Sequence, residues 1–360
     1  MIVWFAGGGT GGHLYPGLAI ARALTRLAPS VRPFFIGAQR GIEREVLPRE
    51  NFPFELLDLH PLYRPRIWLN WRTLRGAVGA WRRLSALERP TLVVGTGGYA
   101  SALALAFAEM HRIPFVEQVA DSHPGLTARA FSRGAREVYL GYPEAERYLP
   151  RKSGEPFFDT GNPIEPPPNP RPARTAARVG WGFPPEGGTV LLVFGGSQGA
   201  RALNAAVDTW LSRGIPDSLY VIWGTGKAHF DAHRARASAR VCVRPYLSPI
   251  ADAYAASDVV LARAGAMTTA ELCAWGLPMV LVPLPTAAAD HQTANARALA
   301  AAGAAVHVPQ AELTPERLER VVREVVLNTE RRNLLATAAR ARGRPDAANH
   351  IAGRILALLD

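Results

Sequence analysis

The chain has 360 residues, 48% of them apolar, and a formal charge of +11 at pH 7. That length suits two domains rather than one core. No apolar run approaches the roughly 18–20 residues of a membrane-crossing helix. Met1 leads directly into an apolar strand with no basic segment before it, so no signal peptide is expected. Cys242 and Cys273, the two cysteines, lie in apolar stretches and cannot make a disulfide framework, which suits a reducing cytoplasm. The positive charge is almost all arginine, with Lys152 and Lys227 the only lysines. It favours an anionic partner such as phosphate or a membrane surface; with no recognised binding motif beside it, nucleic acid is not expected.

The chain opens with an apolar run, Ile2–Ala6, that reads as a buried strand. The turn Gly7-Gly8-Gly9-Thr10-Gly11-Gly12 follows, and from Pro16 onward Leu18, Ile20 and Leu24 have helical spacing. Strand, glycine turn and helix collect free N–H groups and a helix dipole at one point, a place for negative charge. His13 ends the turn, where a purely structural turn needs no histidine. Gly7-x-Gly9-x-x-Gly12 satisfies the dinucleotide fingerprint, but the second strand region, Val31–Gly37, offers no carboxylate to a ribose. A nicotinamide cofactor is therefore not expected.

Further strands are expected at Pro33–Ile36, Phe54–Leu59, Thr91–Val94, Phe115–Glu117 and Glu137–Leu140, alternating with helical stretches as in a parallel α/β sheet. Between them, Ile67, Trp71, Leu74, Val78 and Trp81 form one helical stripe among arginines, with no acid from His60 to Leu87. Such a face suits the surface of an anionic bilayer, although any packed core helix shows a similar stripe. The proline-rich run Gly161–Pro170 cannot continue a helix or a central strand and reads as a linker, at about 161–175. It divides a domain at 1–160 from one at 161–360.

The second series is expected at Val190–Phe194, Tyr220–Trp223, Val241–Val243, Val259–Ala262, Met279–Val282 and Ala304–His307. It too opens on a strand running into glycines, Gly195-Gly196-Ser197-Gln198-Gly199. The fold class expected is α/β, with two doubly wound, Rossmann-like domains facing across a cleft. The final stretch, about 346–359, is helical and expected to pack back on the first domain.

Gly195–Gly199 fits the hydrolase pattern G-x-S-x-G, with Asp258 and His291 downstream in the required order. The rival reading is a diphosphate cradle at a helix start, which accounts for both glycine loops together. Arg263 lies just past a strand, where it could pair with a phosphate, and Glu271, a turn into the next helix, could accept hydrogen bonds from a ribose diol. Gln292 and Asn295 are three apart on one helix face, and their amides suit sugar hydroxyls. No D-x-D pair or metal-ligand spacing occurs, so no metal or other cofactor is expected.

Taken together, Gly8–His13, Gly97-Gly98-Tyr99, Glu117-Gln118, Gly161-Asn162-Pro163, Gly195–Arg201, Arg263-x-Gly265-Ala266 and His291-Gln292-x-x-Asn295 resemble the MurG family of peptidoglycan N-acetylglucosaminyltransferases, which have the GT-B fold. The resemblance implies inverting, metal-independent transfer of GlcNAc from UDP-GlcNAc to the C4 hydroxyl of lipid I, giving lipid II, at the cytoplasmic face of the bacterial cell membrane. By the same resemblance the first domain holds the acceptor. Thr10, Gly11 and Gly12 face its diphosphate, and His13 assists deprotonation of the attacking hydroxyl with Glu117 and Tyr99 nearby. The second domain holds the donor. The backbone at Leu247 reads uracil, and Ser197 with Arg263 meets the diphosphate beside Gln198. The run Ala266, Met267, Thr268, Thr269 and Ala270 leads to Glu271 at the ribose, and Gln292 and Asn295 contact GlcNAc. The stripe from Ile67 to Trp81 becomes the membrane contact. Another glycolipid acceptor in the same fold, or a non-catalytic nucleotide-sugar-binding homologue, is the alternative.

Overall fold

In the computed structural model, which describes residues 1–59, 70–150, 157–196 and 198–359, the chain forms two units. One is Met1–Glu165 with Asp346–Asp360, and the other is Pro166–Pro345. Side chains of the helix Asn70–Ala86 are described from residue 75 onward.

Unit 1 is built on strands β1 (Ile2–Gly7), β2 (Arg32–Ala38), β3 (Phe54–Leu57), β4 (Leu92–Gly97), β5 (Phe115–Val119), β6 (Val138–Leu140) and β7 (Phe157–Asp159), in the order β3-β2-β1-β4-β5-β6-β7. Unit 2 carries β8 (Thr189–Phe194), β9 (Leu219–Gly224), β10 (Val241–Arg244), β11 (Val259–Ala262), β12 (Met279–Leu281) and β13 (Ala305–His307), in the order β10-β9-β8-β11-β12-β13. All the strand pairings in both sheets are parallel. Helices on both faces cover such sheets, which is why these strands read as continuous apolar runs. In each sheet the winding reverses beside the first strand, between β1 and β4 and between β8 and β11. The connections leaving those strands diverge and open a crevice at the carboxyl edge. The four glycine-bearing turns after β1, β4, β8 and β11 all lie at these points.

β7 is an edge strand that the apolar pattern does not announce, because only Phe157 and Phe158 precede Asp159. The first helix starts at Gly11, five residues before Pro16, and contains that proline. Pro16 lacks only the N–H that would reach Gly12, so the break falls within the first turns, where backbone groups are least committed.

In unit 1, Trp4 stacks on Phe107 at 5.7 Å, and Trp81 meets the same ring edge-on at 5.2 Å. The helix Ala347–Leu359 closes the opposite face of the sheet, with Ile351, Ala352 and Ile355 in one buried cluster with Ile20 and Leu24 of the first helix. Arg354 from that helix makes two 2.7 Å bonds to the Glu137 carboxylate.

Candidate functional site

The unit 1 crevice is assembled by backbone packed against side chains. Thr96 at the end of β4 donates its hydroxyl hydrogen to the His13 carbonyl at 2.6 Å, and a Cβ on Gly7 would come within 1.8 Å of that hydroxyl oxygen. The imidazole of His13 lies against Gly97, where an added Cβ would stand 2.7 Å from its Cδ2. Gly97 and Gly98 have φ of +101° and +78°, open to glycine at little cost. Tyr99, one residue on, places its ring 3.1 Å from the Cβ position of Gly9. Thr10 precedes the first helix, and its hydroxyl turns to His13 Nδ1 at 3.3 Å instead of capping a helix N–H. The N–H groups of Gly11 and Gly12 open that helix and have no acceptor within it.

His13 Nδ1 also lies 3.3 Å from the Gly8 carbonyl oxygen. With its proton on Nδ1 the neutral ring donates to that carbonyl and keeps its lone pair on Nε2, the arrangement of a general base.

Beneath the turn lies Glu43, fully buried, with Oε1 accepting from Gly9 N at 2.9 Å and from Ala38 N at 3.0 Å. Sequence reasoning passes over it because it follows β2 by five residues, beyond the window in which a ribose-binding acid is sought. The carboxylate that the fingerprint lacks is thus present, but it is turned under the glycines and closed to any ligand.

Glu117 on β5 is buried, and burial pushes its carboxyl well above the usual carboxylate range. Its Oε2 has no hydrogen-bond partner among the described residues. Tyr99 and His13 therefore converge on the glycine turn, while Glu117 enters from the strand beside β4, level with Gly95. Its neighbour Gln118 donates to Asn162 Oδ1 at 2.8 Å, tying β5 to the Gly-Asn-Pro run.

In unit 2 the turn after β8 leads to the helix Arg201–Ser212, and Gly199 packs on the Thr225 carbonyl, 2.1 Å from its Cβ position. Ser197 lies outside the described residues, and Gln198 is exposed. A cavity of about 530 Å³ is lined by this turn with Arg201, Arg263, Leu284, Gln292 and Gln310. Arg263 is buried, and its guanidinium donates to the carbonyls of Val282 and Pro283, both at 3.0 Å, and to Gln310 Oε1 at 2.6 Å. It is thus a wall of the cavity, holding the ends of β11 and β12 to the segment after β13, and burial lowers its pKa. Gln310, which the sequence does not mark, is its partner.

Gln292 reaches the cavity and accepts from Leu284 N at 3.0 Å. Asn295 shares its helix but is fully buried, its amide donating to the Ala264 carbonyl at 3.2 Å. Of the two amides expected at a sugar, that of Gln292 lines the cavity and that of Asn295 bonds the turn behind it. Helix Ala266–Trp275 carries Met267, Thr268 and Ala270 partly exposed, while Ala266 and Thr269 are buried and Thr269 bonds the Gly265 carbonyl. Glu271 follows, its Oε2 accepting from the Tyr254 hydroxyl at 2.7 Å. Leu247 is buried against Gly224.

The hydrolase triad is excluded by topology. Asp258 precedes β11 and accepts from Val190 N at the start of β8, so it stands at the opposite edge of the sheet from the Gly195–Gly199 turn. Of the membrane stripe, Ile67 lies outside the described residues, and so do the side chains of Trp71 and Leu74. Val78 is 56% exposed, whereas Trp81 packs on Phe107 and His111. The Trp81 ring completes the aromatic cluster over β1.

Two Rossmann-like units, each with its glycine turns at the switch point, are the architecture of GT-B glycosyltransferases. Residues 3–140 match the glycosyltransferase family 28 N-terminal domain, and residues 190–351 match the C-terminal domain of that family. A UDP-N-acetylglucosamine–N-acetylmuramyl-(pentapeptide) pyrophosphoryl-undecaprenol N-acetylglucosamine transferase of Salinibacter ruber is 39% identical over 368 residues, covering 99% of this chain and 97% of that one. The protein of the same name from Chlorobium luteolum is 40% identical over 370 residues, covering all of both chains. The crystal structure of Acinetobacter baumannii MurG superposes with a TM-score of 0.78 at 28% identity, covering 99% of each chain. A UDP-N-acetylglucosamine 2-epimerase shares the fold at 14% identity, with a TM-score of 0.65. The chain belongs to the MurG family of glycosyltransferase family 28 and is a hexosyltransferase.

Proposed function

We propose that the protein transfers GlcNAc from UDP-GlcNAc to the C4 hydroxyl of the MurNAc of lipid I, with inversion and without a metal, as a peripheral enzyme at the cytoplasmic face of the membrane. The observation that carries this reading is the His13 imidazole, held with Nδ1 toward the Gly8 carbonyl at the mouth of a glycine turn. Nε2 takes the proton of the attacking hydroxyl, whose oxygen bonds the anomeric carbon as the bond to the UDP oxygen breaks. UDP leaves with the electron pair. In unit 2 the departing charge meets the N-terminus of helix Arg201–Ser212 and the cationic side chains Arg201 and Arg263 that line the cavity. Ser197 and Gln198 belong to the same turn, Glu271 holds the ribose, Leu247 supports the uracil site, and Gln292 meets the sugar.

The N–H groups of Gly11 and Gly12 bind the acceptor diphosphate, with Thr10 at their rim, and Tyr99 and Glu117 shape the acceptor side. Membrane association uses Val78 with the exposed Arg75 and Arg82. The test is incubation with UDP-GlcNAc and a lipid I analogue, in detergent and with a chelator present. A β-linked disaccharide is expected. No product under any detergent condition overturns the acceptor assignment, and epimerised UDP-GlcNAc without acceptor identifies a different UDP-sugar enzyme.

A further inference from the structure

Glu43 serves no role in the chemistry described so far, yet the glycine turn is shaped around it. A Cβ on Gly8 would stand 1.7 Å from its Oε1, and one on Gly41 would stand 1.9 Å from its Oε2. Both residues are glycine because the carboxylate fills the space a side chain would need. The peptide joining Gly8 to Gly9 is held from both ends. Its N–H donates to Glu43 Oε1 at 2.9 Å, and its carbonyl faces His13 Nδ1 at 3.3 Å. Gly98 completes the fit, since a Cβ there would come within 2.3 Å of that carbonyl oxygen.

We propose that Glu43 is a positioning residue that acts on His13 through the Gly8–Gly9 peptide. This rests on His13 being the base of the proposed reaction. A carboxylate accepting from one end of a peptide polarises it, and the carbonyl at the other end becomes a stronger acceptor. The Nδ1 proton is then fixed toward Gly8, Nε2 keeps its lone pair, and the imidazolium that forms as the hydroxyl proton arrives is stabilised. Nothing passes along the chain of bonds. The hydroxyl proton ends on Nε2, the Nδ1 proton stays where it was, and Glu43 exchanges no proton. An aspartate in a serine-protease triad does the same by direct contact; here one peptide plane stands between.

Other titratable groups at this edge are Tyr99 against Gly9, Tyr15 against Gly11, and Glu117 on β5. Thr10 and Thr96 face the same turn without charge. Glu43→Gln separates charge from geometry, because both backbone N–H groups bond the same oxygen and an amide oxygen can accept both.

The experiment compares the full-length protein with Glu43→Gln, His13→Ala and the double variant, following the pH dependence of kcat/KM for a lipid I analogue. Glu43→Gln is expected to keep its KM for UDP-GlcNAc and lose about tenfold in kcat. Its acidic limb moves to lower pH by about half a unit, less than the 1–3 units of a direct charge contact. The double variant is expected to be no slower than His13→Ala alone. A wild-type limb and kcat in Glu43→Gln beside an impaired His13→Ala overturns the relay alone, as does a further loss in the double variant. A fully active His13→Ala removes the base itself. Independently of any variant, the ¹⁵N shifts of His13 in the wild-type protein are expected to show a protonated Nδ1 and a bare Nε2, and the opposite tautomer overturns the proposal.

Discussion

The Tyr254 hydroxyl donates to Glu271 Oε2 at 2.7 Å, which commits one oxygen of that carboxylate. Burial raises the Glu271 carboxyl, and the tyrosine bond pulls it back down. In its proposed role at the ribose Glu271 accepts in its ionised form, so UDP affinity is expected above the folded pKa and lost as pH falls through it. Tyr254→Phe removes the lowering contribution. It is expected to move that acidic limb to higher pH and to weaken UDP about three- to tenfold at neutral pH, the net worth of a typical hydrogen bond. Calorimetric titration of UDP across about pH 5 to 8 checks both.

Glu117 predicts a different pH dependence. Its folded pKa is raised by burial, so between the ordinary carboxylate range and that raised value the folded state binds a proton that the unfolded chain has released. Its contribution to stability is therefore full at low pH and declines as pH rises through this window. Glu117→Gln is expected to flatten that slope and to raise the unfolding midpoint at neutral pH, measured by denaturation at a series of pH values. A steeper slope in the variant would contradict the assignment.

The arginine-rich helix separates two kinds of residue. Trp81→Ala is expected to cost about 2–4 kcal/mol of stability, because its ring packs on Phe107, and to leave vesicle binding unchanged. Val78→Asp combined with Arg82→Glu is expected to do the reverse, lowering affinity for anionic vesicles with little change in melting temperature. Vesicle co-sedimentation beside thermal melting distinguishes the two.

Arg263 holds three acceptors, so its loss has a structural and a functional part. Arg263→Met leaves the Val282 and Pro283 carbonyls without their donor, for which about 1–3 kcal/mol of destabilisation is expected, with weaker UDP binding. Gln310→Leu keeps both carbonyl bonds and is expected to change UDP binding far more than stability. Chemical denaturation and UDP titration of the two variants side by side provide the check.

The two sheets were legible in the sequence because parallel strands buried on both faces are apolar runs, and glycines punctuate the turns that follow them. Short β7, with two apolar residues before Asp159, lacks such a signal. Single motifs located His13, Arg263, Glu271 and Gln292 at the carboxyl edges of the sheets. The direction in which a side chain points was not legible. Asn295 and Gln292 share a helical spacing, but the neighbouring Ala264 carbonyl takes one and the cavity receives the other. Trp81 was ambiguous in the same way, since an apolar stripe records that a face is covered and not what covers it. Glu43 was invisible for a deeper reason. Its importance is set by Gly8 and Gly9, more than thirty residues away, and no local pattern encodes that meeting.

The helix Ala347–Leu359 belongs to unit 1 although all of unit 2 is synthesised before it. While a ribosome is still making unit 2, the face of the first helix that Ile351, Ala352 and Ile355 will cover is bare hydrocarbon. Unit 2 has everything it needs to fold as it emerges, whereas unit 1, begun first, is sealed last. A released chain that ended before residue 346 would thus carry every residue of the second unit and a first unit with a sticky face, a form exposed to aggregation.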